Sequence, residues 1–238
     1  MGKLLDNYNI VITGGTGFLG REIVSEFLKE GAYIVTNYRN QNKFSDLKVY
    51  CHADNNLIGI QANLTSEEQV LNFFQEINSR FKRLDIFLHI AGGFWMGGDI
   101  ADTPVQKWND MMNLNLLSTF LCTRETFKIM KKQCGGKIFT VSSKTAEEFP
   151  AKMGAYAVSK AGVLGLSQVL ANEGKSYNIQ VNSILPSIID TSANRKAMPD
   201  SDYSKWVTPK EIARLLVQLG APEIKNLSHT AIKVYGQV

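Results

Sequence analysis

Tyr8-Asn9-Ile10-Val11-Ile12-Thr13 runs directly into Gly14-Gly15-Thr16-Gly17-Phe18-Leu19-Gly20. The first run is apolar and β-branched and predicts a strand. Phe18 to Glu30 reads as a helix that Gly31 stops. A glycine-rich turn between strand and helix lets backbone N–H groups approach a pyrophosphate, and the positive end of the helix dipole adds attraction. The same glycines would serve a plain tight turn that needs φ > 0. The strand before, the helix after and the position near the start of the chain favour a dinucleotide cradle made of Gly14, Thr16, Gly17, Phe18, Leu19 and Gly20.

Working outward, strands are predicted at 33–36, 57–61, 84–90, 137–142, 179–185 and 230–235. Between them lie helices at 66–81, capped by Ser66, at 104–132 as one long or broken helix begun by Pro104, at 154–175 and at 209–219. Strand and helix alternate along the whole length without a linker or repeat. This predicts a single domain over 1–238: a doubly wound Rossmann fold, with a seven-stranded parallel sheet and helices on both faces. Ligands of such sheets bind at the carboxyl ends of the strands.

Composition bounds the function. The 238 residues are 44% hydrophobic and 20% charged, which excludes disorder as the main state. No apolar run reaches the length of a membrane span, and Met1 to Asn7 lacks the apolar stretch of a signal peptide. The three cysteines, Cys51, Cys122 and Cys134, read as reduced thiols, which points to a cytoplasmic protein without a membrane partner. A formal charge of +4 is scattered, and the cluster Lys128, Lys131, Lys132 and Lys137 reads as a solvated helix end, not a nucleic-acid face.

Two further features carry chemistry. The second strand exits through Thr36-Asn37-Tyr38-Arg39-Asn40, and no Asp or Glu lies between Gly31 and Lys43. An acid there would take a ribose 2′-OH, whereas Arg39 suits a 2′-phosphate, so NADP is expected over NAD. Asn37, Asn40 and Lys43 are available to assist. Tyr156 and Lys160, four residues apart in a helical stretch, share one helix face. An ammonium beside a phenol lowers its pKa and makes it an acid/base near neutrality. Of eight tyrosines only Tyr156 has this lysine. Ser143, at the carboxyl end of the fifth strand, can hydrogen-bond a carbonyl oxygen while Tyr156 protonates it; Ser142 competes for the role.

With these residues in hand, the chain resembles the short-chain dehydrogenase/reductase family over almost its full length. The cofactor turn matches 13–20, and His89-Ile90-Ala91-Gly92 stands for the family's Asn-Ala-Gly element. Asn115 matches the catalytic Asn, while Ser143, Tyr156 and Lys160 match the Ser and Tyr-x-x-x-Lys. Pro186 to Thr191 matches the segment after the sixth strand. The resemblance implies that Lys160 binds the nicotinamide ribose and that Tyr156 is the acid in reduction and the base in oxidation. It further implies that Ser143 orients the carbonyl and that Asn115 holds a water in the proton relay. Ala91 and Gly92, with Pro186, Ile189 and Thr191, would hold the nicotinamide side, and Asn63 and Leu64 the adenine side. No metal is required, and a homo-oligomer, tetramer or dimer, is implied through helices 104–132 and 154–175.

Four departures from the family pattern involve five positions. Phe18 stands where Gly is usual, a spacing commoner in the epimerase-like branch. His89 and Ile90 replace asparagines, Asn63 replaces an Asp, and Ser187 replaces a Gly. His89 reads as a hydrogen-bonded strand residue, not a base. Phe94, Trp95, Met96, Phe149, Met153, Ile188, Met198, Tyr203 and Trp206 are candidates for an apolar pocket. The expected partner is a small, apolar carbonyl or secondary alcohol, the substrate of a carbonyl reductase or alcohol dehydrogenase. The alternatives are a dihydropteridine-reductase-like or epimerase-like enzyme and a nonenzymatic dinucleotide sensor.

Overall fold

Successive side chains of each strand point to opposite faces, the central strands are buried on both, and each set of side chains finds its own layer of helices. In the computed structural model, which describes residues 2–238, the strands are β1 (Asn9–Thr13), β2 (Tyr33–Tyr38), β3 (Leu57–Gln61), β4 (Ile86–His89), β5 (Gly136–Val141), β6 (Ile179–Pro186) and β7 (Thr230–Val234). They form one parallel sheet in the order β3-β2-β1-β4-β5-β6-β7. Ile10, Ile12, Ile34, Ile86, Leu88 and Phe139 point to one face. There they meet α1 (Phe18–Lys29), α2 (Gln41–Cys51) and α9 (Pro209–Gly220) through Ile23, Phe27, Leu47, Ile212 and Leu216. Val11, Val35, Phe87, Ile138 and Val181 point to the other face. They pack on α3 (Glu67–Arg80), α5 (Ser118–Lys132) and α7 (Gly154–Gly174) through Val70, Phe73, Leu121, Met130 and Leu170. The doubly wound, seven-stranded parallel architecture expected from the alternation is the one observed.

The predicted helix at 104–132 is neither broken nor regular. α4 (Val105–Met111) passes into α5 through a π-helical stretch, Met112–Leu117, and the residues at both junctions keep right-handed helical dihedrals. Three helices carry too little apolar pattern to be read from the sequence. In α2 only Phe44 and Leu47 are buried, so the apolar signal is thin, and Asn40 starts the helix by accepting from Asn42 N at 2.9 Å. α8 (Ser192–Ala197) buries nothing and depends on its cap, Thr191 accepting from Asn194 N at 3.2 Å. α6 (Thr145–Glu148) is a single turn. At the amino-terminal end of the sheet, Lys137 Nζ donates to the carbonyls of Leu219, Gly220 and Ala221 at 2.6–3.2 Å, capping α9. Lys137 therefore belongs to a helix end, although not to the end of the lysine-rich helix itself. Among the described residues no helix is long and apolar enough to cross a membrane.

The strand order reverses between β1 and β4, which opens a crevice above their carboxyl ends. Gly14, with φ +73°, follows β1 there, and a Cβ on it would come within 2.7 Å of Ala91 N, just after β4. Only glycine permits that approach.

Candidate active site

The glycine turn is held from β2. Thr36 Oγ1 donates to Ile12 O at 2.6 Å and accepts from Gly15 N at 3.2 Å. Asn37 Oδ1 accepts from Gly14 N at 2.9 Å, and its Nδ2 donates to Ala62 O at 3.2 Å. Gly17 N returns to Gly14 O and Arg21 N to Gly17 O. The N–H groups of Phe18, Leu19 and Gly20, in the first turn of α1, find no acceptor among the described residues. Three orphan donors at a helix N-terminus fit a pyrophosphate.

These donors open into a cleft of about 520 Å³ that runs from Arg39 and Lys43 past Leu19 and Ala91 to Tyr156 and Thr191. Every residue expected from the sequence to hold the cofactor lines it except Pro186. Pro186 is buried at the end of β6, where its carbonyl accepts from Lys144 N at 2.9 Å. At the Arg39 end the structure amends the sequence reading. Asn37 is buried with both polar atoms engaged, and the Asn40 side chain caps α2, so neither is free for a phosphate. Lys43, on the first turn of α2, lines the cleft instead. Arg39 and Lys43 are exposed, and neither has a carboxylate partner among the described residues. Lys43 was hard to weigh from sequence because its helix was not read. Asn63 turns its Oδ1 onto Thr65 N and Oγ1 at 3.2 and 3.0 Å.

At the other end, Tyr156 and Lys160 sit on successive turns of α7. Lys160 is buried, its Nζ donates to Val141 O at 2.9 Å, and burial pushes the ammonium down to about 8. Nζ lies 6.0 Å from the centroid of the Tyr156 ring. Burial holds the Tyr156 hydroxyl above its usual 10, with a hydrogen bond from Ser143 opposing it. The direction is opposite to the one expected from the Tyr-Lys spacing. The ammonium is turned to the end of β5, and desolvation sets the direction. Ser143 Oγ accepts from Thr145 N and Oγ1 at 3.2 and 3.0 Å. Ser142, its competitor, is buried and donates to Lys160 O at 2.8 Å, which makes it a support of α7.

Asn115 falls in the π-helical stretch and is fully buried. Its Oδ1 accepts from Gly93 N at 2.8 Å, and its Nδ2 donates to Gly93 O at 3.1 Å and to Ser159 Oγ at 2.9 Å. Ser159 Oγ in turn donates to Tyr156 O at 2.7 Å. The side chain therefore ties the loop after β4 to the turn that carries Tyr156 and is not offered to a water relay. Ser159, unnoticed in the sequence, is the middle of this tie.

His89 is buried at the end of β4, with Nδ1 3.0 Å from Thr13 Oγ1 and Nε2 3.2 Å from Ser118 Oγ. Ser118 Oγ donates to Leu114 O at 2.7 Å, so it accepts from Nε2–H and the ring is the neutral Nε2–H tautomer. Burial, with the Lys160 charge, depresses its pKa from 6.5 to about 3. It is a hydrogen-bonded strand residue, as expected.

The apolar candidates divide. Phe94, Met96 and Phe149 are 61%, 55% and 56% exposed. Trp206 is buried and stacks on Tyr203, with ring centroids 4.8 Å apart, so it belongs to the core and not to a pocket. Tyr203 in turn donates its hydroxyl to Pro199 O at 2.9 Å.

A reversed parallel sheet with an anion cradle and a tyrosine–lysine pair above the strand ends defines a dinucleotide-dependent oxidoreductase. A family model described as short chain dehydrogenase matches residues 8–202, and the chain belongs to that family. It is 30% identical over 187 residues to the NAD-dependent glycerol dehydrogenase of Listeria innocua, covering 79% of this chain and 72% of that one. It is 27% identical over 216 residues to the 3-oxoacyl-[acyl-carrier-protein] reductase of Escherichia coli, covering 91% and 86%. The solved structure of ElxO with NADP bound superposes with a TM-score of 0.90 at 26% identity, covering 97% and 98%.

Proposed function

We propose that this chain is an NADP(H)-dependent carbonyl reductase or secondary alcohol dehydrogenase acting on small, apolar substrates. The observation that carries the reading is one cleft with Tyr156 and Lys160 at one end and two cations without carboxylate partners, Arg39 and Lys43, at the other. Ala91 and Thr191 line the part of the cleft that would hold a nicotinamide, the group that would supply the hydride when bound. Tyr156 Oη gives its proton to the carbonyl oxygen, and the Ser143 hydroxyl, held by Thr145 after the end of β5, steadies the developing alkoxide. Lys160 holds the ribose and returns charge to the phenol side once it turns from Val141 O. Arg39 and Lys43 take a 2′-phosphate, in keeping with the NADP-bound structural relative.

A homo-oligomer, tetramer or dimer, belongs to the same reading. Phe120 and Leu117 on the α5 side, and Val158 and Val169 on α7, are 36–53% exposed, a large apolar surface for a free helix face. Light scattering of the purified chain should give a particle of two or four times 26.5 kDa. The function itself is tested by following NADPH oxidation with a panel of ketones and aldehydes. Turnover with NADPH in preference to NADH supports the proposal. Tight NADPH binding without turnover of any carbonyl would favour a nucleotide sensor.

A further inference from the structure

The loop after β4 reads Gly92-Gly93-Phe94-Trp95-Met96-Gly97-Gly98, and it is fixed from behind rather than from the cleft. Asn115 holds both the N–H and the C=O of Gly93, and Gly97 N donates to Lys152 O at 3.0 Å. Ile100 lies over Gly154 at the start of α7, where a Cβ would come within 2.7 Å of Ile100 Cδ1. The polar groups named here are satisfied inside the protein, and what faces outward is apolar. Phe94, Met96 and Ile100 are 55–65% exposed, and Phe149, between Ser143 and Tyr156, is 56% exposed. Phe94 is the one of these whose ring meets Tyr156, edge-on, with centroids 4.9 Å apart and planes at 76°.

We infer that Phe94 is a specificity-determining residue that selects carbonyl compounds bearing an aryl group directly on the carbonyl carbon. The inference rests on the carbonyl-reductase reading above and names the substrate class of that site. Paired edge-to-face with Tyr156 and with more than half of its surface open, the ring presents aromatic surface beside the phenol. A carbonyl oxygen that reaches Tyr156 Oη places its substituent along that surface. A flat aryl group gains an offset-stacked or edge-on contact there, which a saturated ring of the same size does not. Aromatic pairs of this kind favour the aryl compound by roughly 2- to 12-fold. Because Phe94 is held through Gly93, the surface is preformed and the substrate does not have to order it.

The test compares acetophenone with cyclohexyl methyl ketone, which differ only in the saturation of the ring. The measured quantity is the ratio of their kcat/KM values with NADPH, so intrinsic differences in reactivity cancel between variants. Phe94→Leu keeps the site apolar and should lower the ratio about 5-fold, while Phe94→Tyr, which keeps the ring, should hold it within 2-fold of the wild type. Fluorescence titration with NADPH confirms that each variant is folded and loads cofactor. An unchanged ratio in Phe94→Leu, or an equal drop in Phe94→Tyr, overturns the role of the ring and leaves the reductase reading standing. Failure of the wild type to reduce any carbonyl in the panel overturns both.

Discussion

Asn37 Oδ1 accepts a hydrogen bond from Gly14 N at 2.9 Å, so the last turn of backbone before the anion cradle is fastened by a side chain from the neighbouring strand. The Nδ2 of the same residue reaches Ala62 O at the end of β3. Three strand ends are thus joined by one buried amide. Replacing it with Asn37→Leu leaves a buried N–H and a buried C=O unpaired, at a cost of about 1–3 kcal/mol each. Urea unfolding should show a total loss of about 2–6 kcal/mol, and NADPH titration should show weaker binding. An Asn37→Leu protein as stable as the wild type would mean that the turn needs no such fastening.

Tyr156→Phe removes the hydroxyl that would protonate the carbonyl and leaves the ring against Phe94. Turnover should fall by at least about 10²-fold, while NADPH affinity stays within several-fold. Near-normal turnover by the folded variant would take Tyr156 out of the mechanism.

Lys160 gives a pH dependence of known sign. Its pKa in the folded chain is about 8, against an ordinary 10.5. The folded chain therefore holds this proton more loosely than the unfolded chain. The cost of burying the ammonium is present in full below pH 8 and is relieved as pH rises from 8 to 10.5. Binding of an anionic cofactor needs the charged form. Affinity for NADPH should be level below pH 8 and fall by up to about tenfold per unit above it. Lys160→Met should bind weakly with no such break. Titrations of both proteins from pH 6 to pH 10 decide the matter.

Cofactor choice is predicted to depend on Arg39 first and Lys43 second. A charge-assisted contact to a 2′-phosphate contributes about 1.5–3 kcal/mol, and exposure moves Arg39 to the low end of that range. The ratio of kcat/KM for NADPH over NADH should drop roughly tenfold in Arg39→Ala and less in Lys43→Ala. The wild-type preference should shrink as salt is added. A preference untouched by Arg39→Ala would remove it from the phosphate site.

His89 makes the protein sensitive to acid. The unfolded chain takes up a proton as pH falls through 6.5, whereas the folded chain does so only near 3. Between those values the wild type should lose about 1.4 kcal/mol of stability per pH unit from this group alone. His89→Gln, which keeps a donor and an acceptor, should lose about 2 kcal/mol less than the wild type between pH 7 and pH 5. Parallel urea melts at the two pH values measure it.

The residues that follow strands were the legible part of the site, because short β-rich apolar runs mark where each strand ends and a parallel sheet puts those ends on one edge. Gly14, Ala91, Tyr156 and Thr191 converge for that reason. What stayed hidden depended on side chains meeting across the fold. Nothing in the spacing of Asn37 and Gly14 says that they bond, and nothing in Tyr-x-x-x-Lys says which way an ammonium turns. The helix holding Lys43 was missed because eleven residues bury only two apolar side chains. Trp206 has both the chemistry of a pocket residue and a place beside the loop after β6, but the core claims it.

The wide turn at Met112–Leu117 has a consequence for the whole helix that contains it. A π turn adds residues without adding length, so the segments before and after it are out of phase with a regular spiral. Downstream of it, Leu121, Cys122 and Met130 keep step with the sheet. Within it, Asn115 is swung away from that row to grip Gly93 and Ser159. One helix thereby answers to two partners whose spacings do not match, and the irregular turn is the splice that lets it be both a core element and a clasp over the strand ends.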